Sequence, residues 1–246
     1  MSLFDAIRRK FRGDPLRTDW RGITAWARSE GNQLKRVRDG DGFVVEGHFE
    51  GEAPWRLEWG PSQRAYIASR ELRLRVEGAL PPDLQMLVLA KSLAEKLERE
   101  TFEQFTQTTQ TYVDTSAPEE MRWLTMFPRA ALAGPKSLRS RFSAVAMEPA
   151  AASSWVDKEL AGLLADASMA LLAGDPPLVL MTLRGRVYLR VEMPQAEPAR
   201  LADALAIGAA ALDQARRIAR FRVDTGEWQA TTSTASQSAS TQGSQP

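Results

Sequence analysis

The chain holds a single histidine, His48, in the stretch "GFVVEGHFEG" (42–51), with Glu46 and Glu50 two residues to either side. An imidazole oriented by a carboxylate and close to a nucleophile can act as a general base. In an extended chain, however, same-face neighbours stand about 6.6–7 Å apart, too far for a direct hydrogen bond. Arg56, Glu58, Arg73 and Arg75 recur at the same alternating spacing nearby. Cross-strand pairing of opposite charges on the wet face of an antiparallel sheet accounts for the whole set, His48 included, without any reaction. Trp55 and Trp59 alternate with these charges, in phase with Leu57. Two such rings could form a stacking platform, but their phase puts them on the face where the sheet needs a core.

Other reaction chemistry finds little support. There is no cysteine, which excludes disulfides, zinc–thiolate sites, iron–sulfur clusters and a cysteine nucleophile. No HExxH or complete calcium loop is present. "DGDG" (39–42) carries only a fragment of a calcium loop and reads as a tight turn. Neither GxxxxGK[ST], nor GxGxxG between a strand and a helix, nor GxSxG occurs. Ser62 lies in the turn "WGPSQR" with no base nearby in sequence. The sequence therefore nominates no catalytic, cofactor-binding or metal-ligating residue, and no cofactor.

One segment stands out. In "MSLFDAIRRKFRG" (1–13), Leu3, Phe4, Ile7 and Phe11 form a helical stripe, flanked by Arg8, Arg9, Lys10 and Arg12. Residues 1–14 are expected to form a short basic amphipathic helix. Such a helix can cover its own core, dock in a partner's groove or lie in a membrane interface. Residues 1–40 contain ten Lys/Arg against five Asp/Glu, whereas the whole chain is close to neutral, with 32 against 31. That near-neutrality gives no electrostatic case for nucleic acid. The interaction candidates are Leu3, Phe4, Ile7, Arg8, Arg9 and Phe11.

The elements that position these residues follow from periodicity. Strands with alternating apolar residues are expected at 42–51, 54–60 and 70–78. Two more are expected at 137–148 and 177–193, the second a hairpin turning near Arg184 and Gly185. Helices are expected at 19–31, between Asp19 as N-cap and Gly31 as stop, and at 153–174 and 197–221. A further helix is expected over 81–105, apolar nearly all round in its first half. Between 107 and 128, Pro118, Glu119 and Glu120 read as the first turn of a short helix, while "RWLTMF" (122–127) reads equally as a strand.

The fold class is α+β, an antiparallel sheet packed against helices. A repeated "LRVE" at 74–77 and 189–192 suggests two related β-sheet/helix units. The expected organisation is the N-terminal helix at 1–14, a first unit at 15–110, a second at 111–228 packed on it, and a disordered polar tail at 229–246. No apolar run approaches the roughly 20 residues of a membrane span, and no secretory signal is evident. The expected function is a non-enzymatic cytoplasmic interaction or scaffold protein with a protein partner and a weak membrane-surface contact. The alternatives are an enzyme with no recognisable motif and a peripheral membrane protein held by the N-terminal helix.

Overall fold

The computed structural model describes residues 18–37, 42–49, 53–107, 117–166 and 168–224. The N-terminal stripe at 1–14 and the polar tail at 229–246 lie outside the described residues, as does most of the "DGDG" turn. Within them the fold is α+β, as the periodicity predicts. One antiparallel sheet of nine strands runs in the order β1-β2-β3-β4-β9-β8-β5-β7-β6. Its strands are β1 (Gln33–Arg36), β2 (Phe43–His48), β3 (Pro54–Pro61), β4 (Arg70–Glu77), β5 (Met86–Ala90), β6 (Arg129–Ala130), β7 (Phe142–Ala146), β8 (Leu178–Leu183) and β9 (Arg186–Glu192). The helices are α1 (Trp20–Ser29), α2 (Lys91–Gln107), α3 (Glu119–Met126), α4 (Lys136–Arg141), α5 (Pro149–Trp155), α6 (Lys158–Ala165) and α7 (Pro198–Asp224).

Local chemistry explains the elements that match expectation. Asp19 caps α1 by accepting from the Gly22 amide at 3.0 Å, and Gly31 follows the helix at φ +68°. The β8–β9 hairpin turns on Arg184 and Gly185 at φ +50° and +80°, the doubly positive pattern of a type I′ turn. Helix α7 begins at Pro198, where a missing N–H costs nothing. The two "LRVE" copies lie side by side in β4 and β9, with Leu74 opposite Leu189.

Three expectations need correction. The apolar first half of 81–105 is strand β5, and its helix starts only at Lys91. All five β5 side chains are buried, and successive strand side chains point to opposite faces, so both faces of β5 are covered. A strand of this kind loses its period of two and cannot be told from a buried helix by pattern. Thr182 of β8 fixes its start, accepting from the Met86 amide at 3.0 Å and donating to the Leu84 carbonyl at 2.6 Å. The strand expected at 137–148 is helix α4 followed by the shorter strand β7. The single helix expected at 153–174 is broken after Trp155. Asp157 starts a new helix there by accepting from the Glu159 and Leu160 amides, and a 3₁₀ turn follows at Ala170–Leu172.

The register divides the sheet into two faces. Phe43, Val45, Trp55, Leu57, Trp59, Leu72, Leu74, Val76, Leu189 and Val191 share the inner face and are all buried. Helix α7 lies on this face so closely that a Cβ on Gly208 would stand 2.5 Å from Leu74 Cδ2. Trp155 ties α5 to α7 by donating from Nε1 to the Ala211 carbonyl at 2.8 Å. The tryptophans at 55 and 59 are core residues. Phe43 stacks on Trp59 at 5.7 Å, and Trp59 Nε1 donates to the Met193 carbonyl at 2.8 Å.

Candidate interaction face

Over β1–β4 and β9 the outer face carries charged side chains. The register sets Glu46 opposite Arg56 and Glu58 opposite Arg73, the opposite-charge pairs that the alternation predicts. It also sets Arg56 opposite Arg75 and Arg73 opposite Arg190. Like charges in direct opposition are destabilising. Here they are offset by carboxylates on the diagonals and two residues along the same strand. Lys35 and Arg56 both reach Glu46 at 2.7 Å, and Arg56 also reaches Glu58 at 2.5 Å. Arg73 joins Glu58 at 3.1 Å to Glu71 at 3.2 Å, and Arg190 meets Glu71 at 2.5 Å. Arg75 and Arg186 share Glu77. The result is one chain of ion pairs from Lys35 to Arg190 across five strands, with Arg75, Glu77 and Arg186 as a separate group beside it.

These ion pairs are graded in exposure. Lys35 and Arg75, toward the outside, have side chains 62% and 47% exposed, while Glu71 is fully buried. The bonds from Lys35 and then Arg56 hold the Glu46 carboxyl below its ordinary range. At Glu58, burial pushes the pKa up, but the bonds from Arg56 and Arg73 outweigh it and leave the carboxyl lowered. Glu46 and Glu58 therefore stay charged through the neutral range.

A buried polar cluster closes one end of the face. The β3–β4 connection turns at Ser62, whose hydroxyl accepts from the Arg64 amide, so this serine serves the turn. The same connection sends Arg64 Nε to Glu120 Oε1 at 2.6 Å and Tyr66 Oη to the same oxygen at 2.5 Å. Glu120, in the first turn of α3, is fully buried. Burial raises its pKa, but the bonds from Arg64 and Tyr66 outweigh that and hold the carboxyl lowered. Burial pushes the Tyr66 phenol well above its ordinary value, and Glu120 adds to the shift. The cluster can hold a charged carboxylate and a protonated phenol in place, and it pins α3 to the rim of the sheet. Arg64, Tyr66 and Glu120 were not legible as a group, being 54 and 56 residues apart in pairs.

His48 is exposed and lies opposite Pro54 at the other end of the face. It borders an open depression of about 550 Å³, lined also by Asn32, Glu46, Arg56, Arg75 and Glu77. Its charged neighbours are already committed to one another. Among the described residues, no group of three or more His, Asp or Glu could hold a metal ion, and no helix is long and apolar enough to cross a membrane. The candidates Leu3, Phe4, Ile7, Arg8, Arg9 and Phe11 lie outside the described residues.

No protein-family model matches the chain, and no curated protein matches it. Among solved structures, it is similar to the crystal structure of the mycobacterial trehalose monomycolate transport factor A, TtfA. The identity is 11% and the TM-score 0.47, over 80% of this chain and 93% of that one.

Proposed function

We propose that this is a non-enzymatic interaction protein of the cytoplasm whose protein partner docks on the outer face of β1–β4 and β9. The observation that supports this reading is the unequal covering of the sheet. β5 is buried on both faces, whereas the outer face from β1 to β4 is left to polar side chains that are already fixed by mutual ion pairs. Side chains ordered in advance lose less freedom when a partner arrives, and alternating charge sets register and rejects wrong partners. Among the described residues, the terminal strand β1 has one edge without a strand neighbour, the feature that strand addition uses.

The N-terminal stripe of Leu3, Phe4, Ile7 and Phe11, with Arg8 and Arg9, is proposed as a second contact with the same partner, and a weak membrane-surface contact is its alternative use. Charge reversal tests the main reading. Lys35→Glu and Arg75→Glu alter exposed pairs, which contribute about 0–1 kcal/mol, so both variants should melt as the wild type does. Each should lose a partner that wild type captures from native lysate. Capture unchanged in both variants would refute docking on this face. Phe4→Asp tests the stripe separately: a normal melting curve with every wild-type association retained would exclude it as a contact.

A further inference from the structure

At the end of β4, next to the charged face, lies a second open depression of about 480 Å³. Three arginines line it, Arg184, Arg186 and Arg216, against a single acidic residue, Glu77. The Glu77 carboxylate is bonded to Arg186 at 2.6 Å and shared with Arg75. The Arg216 side chain donates from Nε to the Gly78 carbonyl at 3.4 Å. Arg184 is 77% exposed and lies 3.9 Å from Glu119, outside the depression. The lining thus holds a surplus of two positive charges. Exposed Pro54, Ala79 and Pro82 supply an apolar wall beside them.

The backbone is fixed around this hollow. The Gly185 carbonyl accepts from both the Gly78 and Leu80 amides, at 3.2 and 3.1 Å. These bonds clamp the segment after β4 to the β8–β9 turn. Ala79 and Arg184 are held at φ +50° on either side of the clamp. At Arg184 the type I′ turn requires this conformation, whereas at Ala79, a non-glycine residue outside that turn, it costs energy that the clamp must supply.

We propose that this depression binds a small phosphate monoester, with its phosphate on Arg184 and Arg216 and its apolar body against Pro54, Ala79 and Pro82. The planar fork of a guanidinium fits phosphate bidentately. The surplus of two charges matches a dianion better than a carboxylate. The volume lies within the roughly 300–1,000 Å³ of small-molecule sites. The site does not depend on partner docking at the outer face, and the two can fail separately.

Isothermal titration of the full chain with phenyl phosphate at constant ionic strength tests the assignment. Saturable binding is expected in the wild type. It should be at least tenfold weaker in Arg184→Gln and in Arg216→Gln, and unchanged in the control Arg21→Gln on α1. Inorganic phosphate should bind more weakly than phenyl phosphate, and benzoate at least tenfold more weakly. Arg184 is a turn residue, so its variant stays informative if Arg216→Gln, on α7, fails to fold. No saturable binding to the wild type, or binding that both arginine variants retain, would overturn the site. Benzoate binding as tightly as phenyl phosphate would overturn the phosphate assignment.

Discussion

Glu120 gives the sharpest energetic prediction. Its carboxylate is fully buried and accepts from Arg64 at 2.6 Å and Tyr66 at 2.5 Å. Glu120→Ala would strand both donors. Removing one member of a buried pair costs roughly 3–5 kcal/mol. The Arg64 side chain is 23% exposed and can recover part of its hydration, so the low end applies, about 3 kcal/mol. For a chain of this size each kcal/mol moves the melting midpoint by about 2–4 °C, giving a drop of roughly 6–12 °C. Tyr66→Phe removes a single bond to a charged acceptor and should cost about 1.5–3 kcal/mol. Acid exposes the same linkage. The Glu120 pKa is lowered in the fold, so its stabilisation is complete above the unfolded value of about 4.3. It is lost as the pH falls through the lower folded value. Urea denaturation at pH 7 and at about pH 3 should therefore show the gap between wild type and Glu120→Gln narrowing in acid. A Glu120→Ala loss under about 1 kcal/mol, or a gap independent of pH, would refute the cluster as a structural anchor.

Four further substitutions probe the fold. Trp59→Ala should cost roughly 3–5 kcal/mol in chemical denaturation, because the ring is buried, stacks on Phe43 and bonds the Met193 carbonyl. His48→Ala should change stability by well under about 1 kcal/mol, and a large loss there would contradict its place on the solvated rim. Gly208→Ala should destabilise by about 1–3 kcal/mol, since its Cβ would press on Leu74 Cδ2 at 2.5 Å; a neutral or stabilising result in a melting assay would contradict the close approach of α7. Thr182→Val keeps the shape but unpairs the Met86 amide and the Leu84 carbonyl. It should cost about 1–3 kcal/mol, with faster hydrogen exchange at Met86 as the local signature.

What could be read from the sequence followed from how each element is covered. Strands β2, β3 and β4 have one buried and one polar face, so Phe43–Val45, Leu57–Trp59 and Leu72–Val76 announce themselves by alternation. β5 is covered on both faces, and "MLVLA" then carries no period at all. Helices α5 and α6 form one apolar stretch in sequence, and only the Asp157 side chain, turned back onto two amides, marks the break. The charges of the outer face were legible as a set. Their diagonal pairing was not, because it depends on registers that place arginine opposite arginine. The cluster of Arg64, Tyr66 and Glu120 was illegible for a different reason. Two of its members sit in a connection without periodicity, and the third was visible only as the first turn of a helix. The cavity of Arg184, Arg186 and Arg216 likewise joins a turn to a distant helix, and its surplus charge is a property of the meeting, not of either segment.

The central claim is that a partner occupies the outer face of β1–β4 and β9. Site-specific photo-crosslinking in cells tests it most directly, with a benzophenone amino acid placed in turn at Lys35, Arg75 and, as the control, Arg21 of α1. All three positions are exposed, and Lys35 and Arg75 share the outer face. The account predicts one protein adduct of the same mass from positions 35 and 75, and none from position 21. Adducts from position 21 alone, or none from 35 and 75 in a chain that folds normally, would contradict it.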